Sequence, residues 1–346
     1  MTTNGGEIGI LLLNLGGPDS LGAVRPFLFN LFSDREIIRL GPSFMQKPLA
    51  YLISTMRHKK TEGYYRLIGG KSPIFEITNK QARALEKALN EQSVISSQLD
   101  QPSTFSLQPS SFKVFIGMRY WHPSIEATVP EIFHQGIKRV IALGLYPHYS
   151  IATAGSSFSK MNEVVSRFPV EVFTISSWHD HPLYIESLVE KIQRGMDFFH
   201  SREGVREDNV HVLFSAHSLP KKFIEEGDPY VEQIKGTIDE ITKRAKIEWD
   251  LSYQSKSGPV EWLEPSTDEM IKELAGRGVK NLLVVPISFV SDHIETLYEI
   301  DILYKDMAKS LGMRLERAES LNTSPLFISA LAEIVKKGMK EAGWVE

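Results

Sequence analysis

Short, continuously apolar runs alternate along this chain with longer stretches whose apolar residues recur at helical spacing. The apolar runs are Ile8 to Leu15, Lys113 to Gly117, Arg139 to Leu143, Val170 to Ile175, His211 to Phe214, Glu248 to Tyr253 and Asn281 to Val285. Most are apolar at successive rather than alternate positions, which fits parallel strands buried on both faces. Helical spacing marks Thr78 to Leu89, Pro182 to Phe199, Pro229 to Ala245, Thr267 to Ala275 and Pro325 to Ala342. The alternation predicts a doubly wound α/β architecture.

Two zones break the rhythm. Gln92 to Ser111 is rich in Ser, Gln and Pro without periodicity, and reads as an exposed insertion that carries no chemistry. Leu40 to Gly70 is irregular, and its apolar Leu49 to Ile53 is followed by Arg57-His58-Lys59-Lys60. Such a segment is an ordinary helix with a basic last turn, the lining of a pocket for a flat anionic ligand, or a contact with a membrane surface.

A weak internal repeat is visible. Gly136-Ile137-Lys138-Arg139-Val140 resembles Gly278-Val279-Lys280-Asn281-Leu282, and Val114 to Arg119 matches Val212 to His217 in pattern. Two copies of one α/β unit would set Arg119 and His217 at equivalent strand ends, where open α/β sheets bind ligands.

Composition narrows the function classes. At 346 residues the chain exceeds the usual single core, so two domains or one enlarged unit are expected. A net charge of −4 without a basic stripe argues against nucleic acid as a partner. Cys is absent, which removes disulfides, thiolate metal sites and a Cys nucleophile together. The polar stretch Met1 to Glu7 lacks a basic n-region, and Ile8 to Leu13 is too short to span a membrane, so a cytoplasmic location is expected.

Candidate chemistry sits in two segments. His217 ends an apolar run inside Ser215-Ala216-His217-Ser218-Leu219-Pro220, followed by an acidic loop, Glu225 to Tyr230. Ser291-Asp292-His293-Ile294-Glu295 follows the apolar run Pro286 to Val290. A helix starting near Ser291 would set Asp292, Glu295, Glu299 and Asp306 at i, i+3, i+7 and i+14, a carboxylate row on one face. Such a row can be a solvated stripe or, starting beside buried residues, a path for protons or cations. Imidazole nitrogen and carboxylate oxygen together suit a divalent first-row metal.

The chain resembles the ferrochelatase family over nearly its whole length. The resemblance is carried by Leu13-Asn14-Leu15-Gly16-Gly17-Pro18, Tyr65 to Pro73, Gly117-Met118-Arg119-Tyr120, Tyr146-Pro147-His148-Tyr149, Ser215 to Pro220 with Gly227 to Tyr230, and Ser291 to Leu297. It implies two similar Rossmann-like domains with the active cleft between them: 1–170, to which the C-terminal helix in 322–346 returns, and 171–321. It implies a lyase that inserts Fe²⁺ into a porphyrin in the last steps of haem biosynthesis, with protoporphyrin IX as the expected acceptor and coproporphyrin III as the alternative.

Position by position, His217 and Glu295 match the family's metal pair on opposite walls of the cleft, with Asp292, His293 and Glu299 in the acidic helix. Arg57, Tyr65, Ser72, Arg119 and Tyr120 match porphyrin neighbours, the guanidinium groups suiting propionates. Fe²⁺ is then a substrate and no further cofactor is required; some members carry a Cys-ligated [2Fe–2S] cluster, for which this chain has no ligands. His217 can accept a pyrrole proton or hold iron, and the carboxylates can deliver metal or drain protons. Trp262 could wall the ring or belong to the core. A monomer is expected, with peripheral membrane contact open because haem is greasy. Another tetrapyrrole chelatase and a non-catalytic porphyrin carrier are the competing readings; a carrier has no need of carboxylates opposite an imidazole.

Overall fold

A computed structural model of the chain describes residues 6–99, 111–203, 209–256, 258 and 260–345, with the side chains of 92–99 and 202–203 outside that description. The first half runs β1 (Ile8–Asn14), α1 (Val24–Ser33), α2 (Gln46–Leu67), α3 (Ile74–Leu99), β2 (Phe112–Met118), α4 (Ile125–His134), β3 (Arg139–Gly144), α5 (Ser156–Val165) and β4 (Glu171–Ile175). The second runs α6 (Pro182–Glu203), β5 (Val210–His217), α7 (Lys221–Glu225), α8 (Tyr230–Thr242), β6 (Trp249–Gln254), α9 (Thr267–Gly276) and β7 (Asn281–Pro286). A π-helical segment, Glu295–Tyr304, then leads into α10 (Lys305–Ser310), β8 (Arg314–Arg317) and α11 (Pro325–Glu341).

Among the described residues the strands form two four-stranded sheets, ordered β2-β1-β3-β4 and β6-β5-β7-β8. Every named pair is parallel. Each sheet centres on a strand whose middle is continuously apolar, and Ile10 to Leu13 and Val212 to Phe214 are almost wholly buried. The expected pair of Rossmann-like α/β units is the observed architecture.

The two sheets share one apolar seam. It runs from Ile10 and Leu143 through Tyr184 of α6 and Phe327 of α11 to Phe214 and Val285. Each such side chain contributes roughly 1.5–3 kcal/mol when fully buried. Gly195 sets the approach of α6 to β7: a Cβ there would lie 2.6 Å from a methyl of Leu283. α11 packs on α3, β3 and β4 as well as α6, so the C-terminal helix returns to the first half.

Several expectations need correction. The irregular zone Leu40 to Gly70 is largely the helix α2, and α3 continues through Leu99; the remainder of the Ser-rich stretch, 100–110, lies outside the described residues. β8 was not foreseen, because Arg314-Leu315-Glu316-Arg317 buries only Leu315 and so has no apolar run. β4 pairs with β3, so residues 171–175 side with the first unit and not with 171–321.

The repeat is real for β3 and β7 but misassigned for the other pair. By sheet order, β5 is the counterpart of β1 and β6 of β2. In register His217 therefore corresponds to Leu15, one residue past the end of β1, and Arg119 to Gln254 at the end of β6. Apolar pattern cannot distinguish a central strand from its neighbour when both are buried on two faces.

Candidate active site

His217 is the last residue of β5, and Glu295 opens the π-helical segment after β7. These strands are neighbours in the second sheet, so both side chains emerge at one sheet edge. His217 Nδ1 meets Glu295 Oε2 at 2.8 Å. The expectation of opposite walls is thus overturned: the two residues are in contact on the same side. The backbone of His217 is held from behind, since Ser288 Oγ accepts from the His217 amide at 2.9 Å and Tyr230 Oη donates to its carbonyl at 3.0 Å. Phe289 stands edge-on to the ring with centroids 5.9 Å apart.

Electrostatics follow from this contact. Burial disfavours the His217 cation, but the charge and hydrogen bond of Glu295 outweigh it, and the imidazole pKa is raised. Burial likewise opposes ionisation of Glu295, yet His217, with His293 beyond, holds it below the usual carboxylate range. Glu299 goes the other way: burial first, then the charge of Glu295, raises it to about 7, against a 2.6 Å hydrogen bond donated by Ser255 Oγ. Two neighbouring carboxylates whose affinities for a proton are pushed apart can hold one proton between them near neutral pH.

The carboxylate row is not built as spacing suggested. Bonding from i to i+5 in Glu295–Tyr304 replaces the register of an α-helix. Glu295 and Glu299 remain neighbours, but Asp292 precedes the helix and Asp306 is exposed on α10. Asp292 accepts from Arg317 Nη1 at 3.0 Å, Ser320 Oγ at 2.8 Å, Thr296 Oγ at 3.2 Å and Asn322 Nδ2 at 2.7 Å. His293 is buried against Phe289, its Nδ1 3.0 Å from the Ser291 carbonyl. Its Nε2 lies 3.9 Å from Glu295 Oε1 and has no hydrogen-bond partner. Among the described residues no group of three or more His, Asp or Glu is arranged to hold a metal, so His217 and Glu295 stand as a pair.

The five expected porphyrin neighbours divide into three groups. Tyr65 of α2 is buried, and its phenol pKa is pushed up by burial and by the charge of Glu295. Adjacent Tyr64 stacks on Tyr298 with centroids 4.2 Å apart, so α2 lies against the π-helical segment. Arg57 is exposed on the same helix with its guanidinium 5.5 Å from the Phe32 ring centre. Ser72 is buried under the Gly16-Gly17-Pro18 turn, where a Cβ on Gly17 would strike its hydroxyl.

Arg119 and Tyr120 are engaged internally. Arg119 Nη2 and Tyr120 Oη donate to Asp34 Oδ2 at 2.7 and 2.6 Å, and Arg119 Nε donates to Ser156 Oγ at 2.8 Å. Burial raises the Asp34 pKa, but the donors Ser156, Tyr120 and Arg119 overcome it, and the net shift is downward. Sequence reading missed Asp34, which lies between α1 and α2 with no periodic signal, and Ser255, at a φ of 69° just beyond β6. Trp262 is half-buried beside Pro220, and its indole N–H has no partner. A groove of about 340 Å³ between α3, β2 and α4 contains none of these residues.

Comparison with known proteins gives a consistent result. A family model described as Ferrochelatase matches residues 7–339. The chain is 49% identical over 331 residues to the ferrochelatase of Geotalea daltonii, covering 94% of this chain and 96% of that one. It is 50% identical over 334 residues to the ferrochelatase of Geotalea uraniireducens, covering 95% and 97%. Among solved structures, SirB from Bacillus subtilis with Fe³⁺ superposes with a TM-score of 0.53 at 14% identity, covering 98% of this chain and 99% of that one. That last likeness concerns the fold alone.

Proposed function

Since the chain belongs to the ferrochelatase family, whose members insert metal into a porphyrin in haem synthesis, we propose that Fe²⁺ enters protoporphyrin IX beside the His217–Glu295 pair. The observation that carries this reading is the 2.8 Å contact between an imidazole and a buried carboxylate at a strand edge facing α2. Insertion replaces two pyrrole N–H bonds with bonds to iron and releases two protons. In its neutral form His217, made more basic by Glu295, accepts one of them. Glu299, titrating near neutrality, is placed to take the other or to relay it. A two-residue pair suits a metal that must leave: a resident catalytic ion is typically held by three protein ligands. No resident cofactor enters this scheme, Fe²⁺ being a substrate.

Arg57, exposed on α2, and Arg119, two of whose nitrogens serve Asp34 and Ser156, are the guanidinium groups for the propionates. Anaerobic single-turnover metallation of protoporphyrin IX tests the reading. His217→Ala is expected to bind the porphyrin and to insert Fe²⁺ at least about a hundredfold more slowly; unchanged insertion by the variant would reject it. Parallel runs with coproporphyrin III decide the acceptor.

Peripheral membrane contact is supported by a separate observation. Phe44 and Met56 are 77% and 73% exposed, with Tyr51 and Leu52 between them and basic Lys59 and Lys60 following. Apolar and basic groups together suit an anionic bilayer surface. No helix among the described residues is long and apolar enough to cross a membrane. Flotation with anionic liposomes tests this; protein that stays at the bottom of the gradient would refute it.

A further inference from the structure

Asp292 was grouped with Glu295 and Glu299, but its surroundings are of another kind. Its two carboxylate oxygens take four hydrogen bonds, three on Oδ1 and one on Oδ2. Four donors fill the lone-pair sites of a carboxylate, leaving it little to offer a passing ion. By contrast Glu299 accepts a single hydrogen bond from a side chain, Ser255.

Apart from Thr296, the donors come from outside the reacting centre. Arg317, at the end of β8, also grips Asp301 of the π-helical segment with two nitrogens, each at 2.9 Å. Asn322 pairs reciprocally with Asp292: its Oδ1 accepts from the Asp292 amide at 3.0 Å while its Nδ2 donates to Oδ2. Asn322 sits at a φ of 44°, which places its short amide against that turn. Gln81 of α3, fully buried, completes the frame from the other half of the molecule, donating to Ser291 Oγ at 3.0 Å and to the Asn322 carbonyl at 2.7 Å. Thr296, beside Glu295, bridges Asp292 and the His293 amide.

We propose that Asp292 is a positioning residue: with Arg317, Asn322 and Gln81 it clamps the Ser291–Glu295 turn so that Glu295 meets His217. The proposal rests on the His217–Glu295 reading of the site. It assigns to Arg317 and Asn322, neither of which touches that pair, an effect on metal insertion. Losing the clamp lets Glu295 shift, and a misplacement of about 1 Å costs up to about a hundredfold in rate.

The decisive variant is Asn322→Gly, which removes both amide bonds to Asp292 and still tolerates the positive φ. Wild type, Asn322→Gly, Arg317→Gln, Asp292→Asn and the double variant Asp292→Asn/Asn322→Gly are compared by single-turnover Fe²⁺ insertion and by fluorescence titration with protoporphyrin IX. The expected result is a fall in insertion rate of about ten- to a hundredfold in each single variant. Porphyrin affinity stays within about twofold of wild type, and the double variant is no slower than Asp292→Asn alone. Collapse in Asp292→Asn with wild-type rates in Asn322→Gly and Arg317→Gln would overturn the proposal, because the charge would then act at the reaction itself. Loss of porphyrin affinity in Asn322→Gly would overturn it too, by making the clamp a general support of the fold. A wild type that fails to insert iron at all would instead sink the reading on which the proposal rests.

Discussion

The two sheets have the same strand order and opposite chemistry at their binding edges. In the second, the central strand ends in His217, paired with Glu295, and a further carboxylate, Glu299, stands beside them. In the first, the central strand ends in Asn14, whose amide is absorbed by Thr78 and by the next backbone N–H. The charges of the first edge, Arg119 and Asp34, neutralise each other and are tied off by Tyr120 and Ser156. One edge keeps a surplus of negative charge near protonatable nitrogen, as the proposed metal and proton transfer would require. The other is electrostatically closed, as a structural wall requires. A shared fold therefore does not imply shared chemistry; the difference lies in what each buried charge is given as a partner.

The largest effect is expected from removing the charge at the open edge. Glu295→Gln should slow Fe²⁺ insertion by about 10² to 10⁴ while leaving stability within about 1 kcal/mol, since the amide keeps the shape. A rate near wild type would erase the asymmetry between the edges.

At the closed edge the ordering reverses. Asp34→Asn strands the buried Arg119 charge and should destabilise the protein by about 3 kcal/mol, read by urea denaturation at neutral pH. The sign with pH follows from the lowered pKa. The folded-state value lies below the ordinary 3.8, so the contribution of Asp34 is complete above that pH and fades as pH falls through the lowered value. The deficit of the variant should accordingly shrink below pH 4; a deficit that persists there would point to packing and not charge.

The smallest effect is expected where the two halves touch. Tyr298→Leu removes the stack on Tyr64 and should cost about 1 kcal/mol. A much larger loss, with a fall in porphyrin affinity, would show that α2 depends on the second sheet for its placement.

Legibility from sequence varied with the range of the interaction. Seven of the strands were readable, most of them because burial on both faces writes a continuous apolar run, while β8 was hidden by its polar flanks. His217 and Glu295 were recognisable from local motifs, and the two carboxylates of the helix were correctly singled out as neighbours. Asp292 was misread because spacing assumed a helix that starts three residues too early and winds as an α-helix. Nothing local signals that Arg119, singled out as a ligand for propionates, donates one nitrogen to Asp34, 85 residues earlier in the chain.

The sequence by itself determined the two buried parallel sheets, the absence of thiol chemistry and the residue types at the edge that carries His217 and Glu295, all of which follow from local periodicity, composition and motif. Only the tertiary structure decided which strand of one half answers to which of the other, and that His217 and Glu295 share a side. It also decided which carboxylates are saturated by donors and which retain capacity. Pattern records burial, a property of each residue alone, whereas the state of a charge depends on partners brought close by folding.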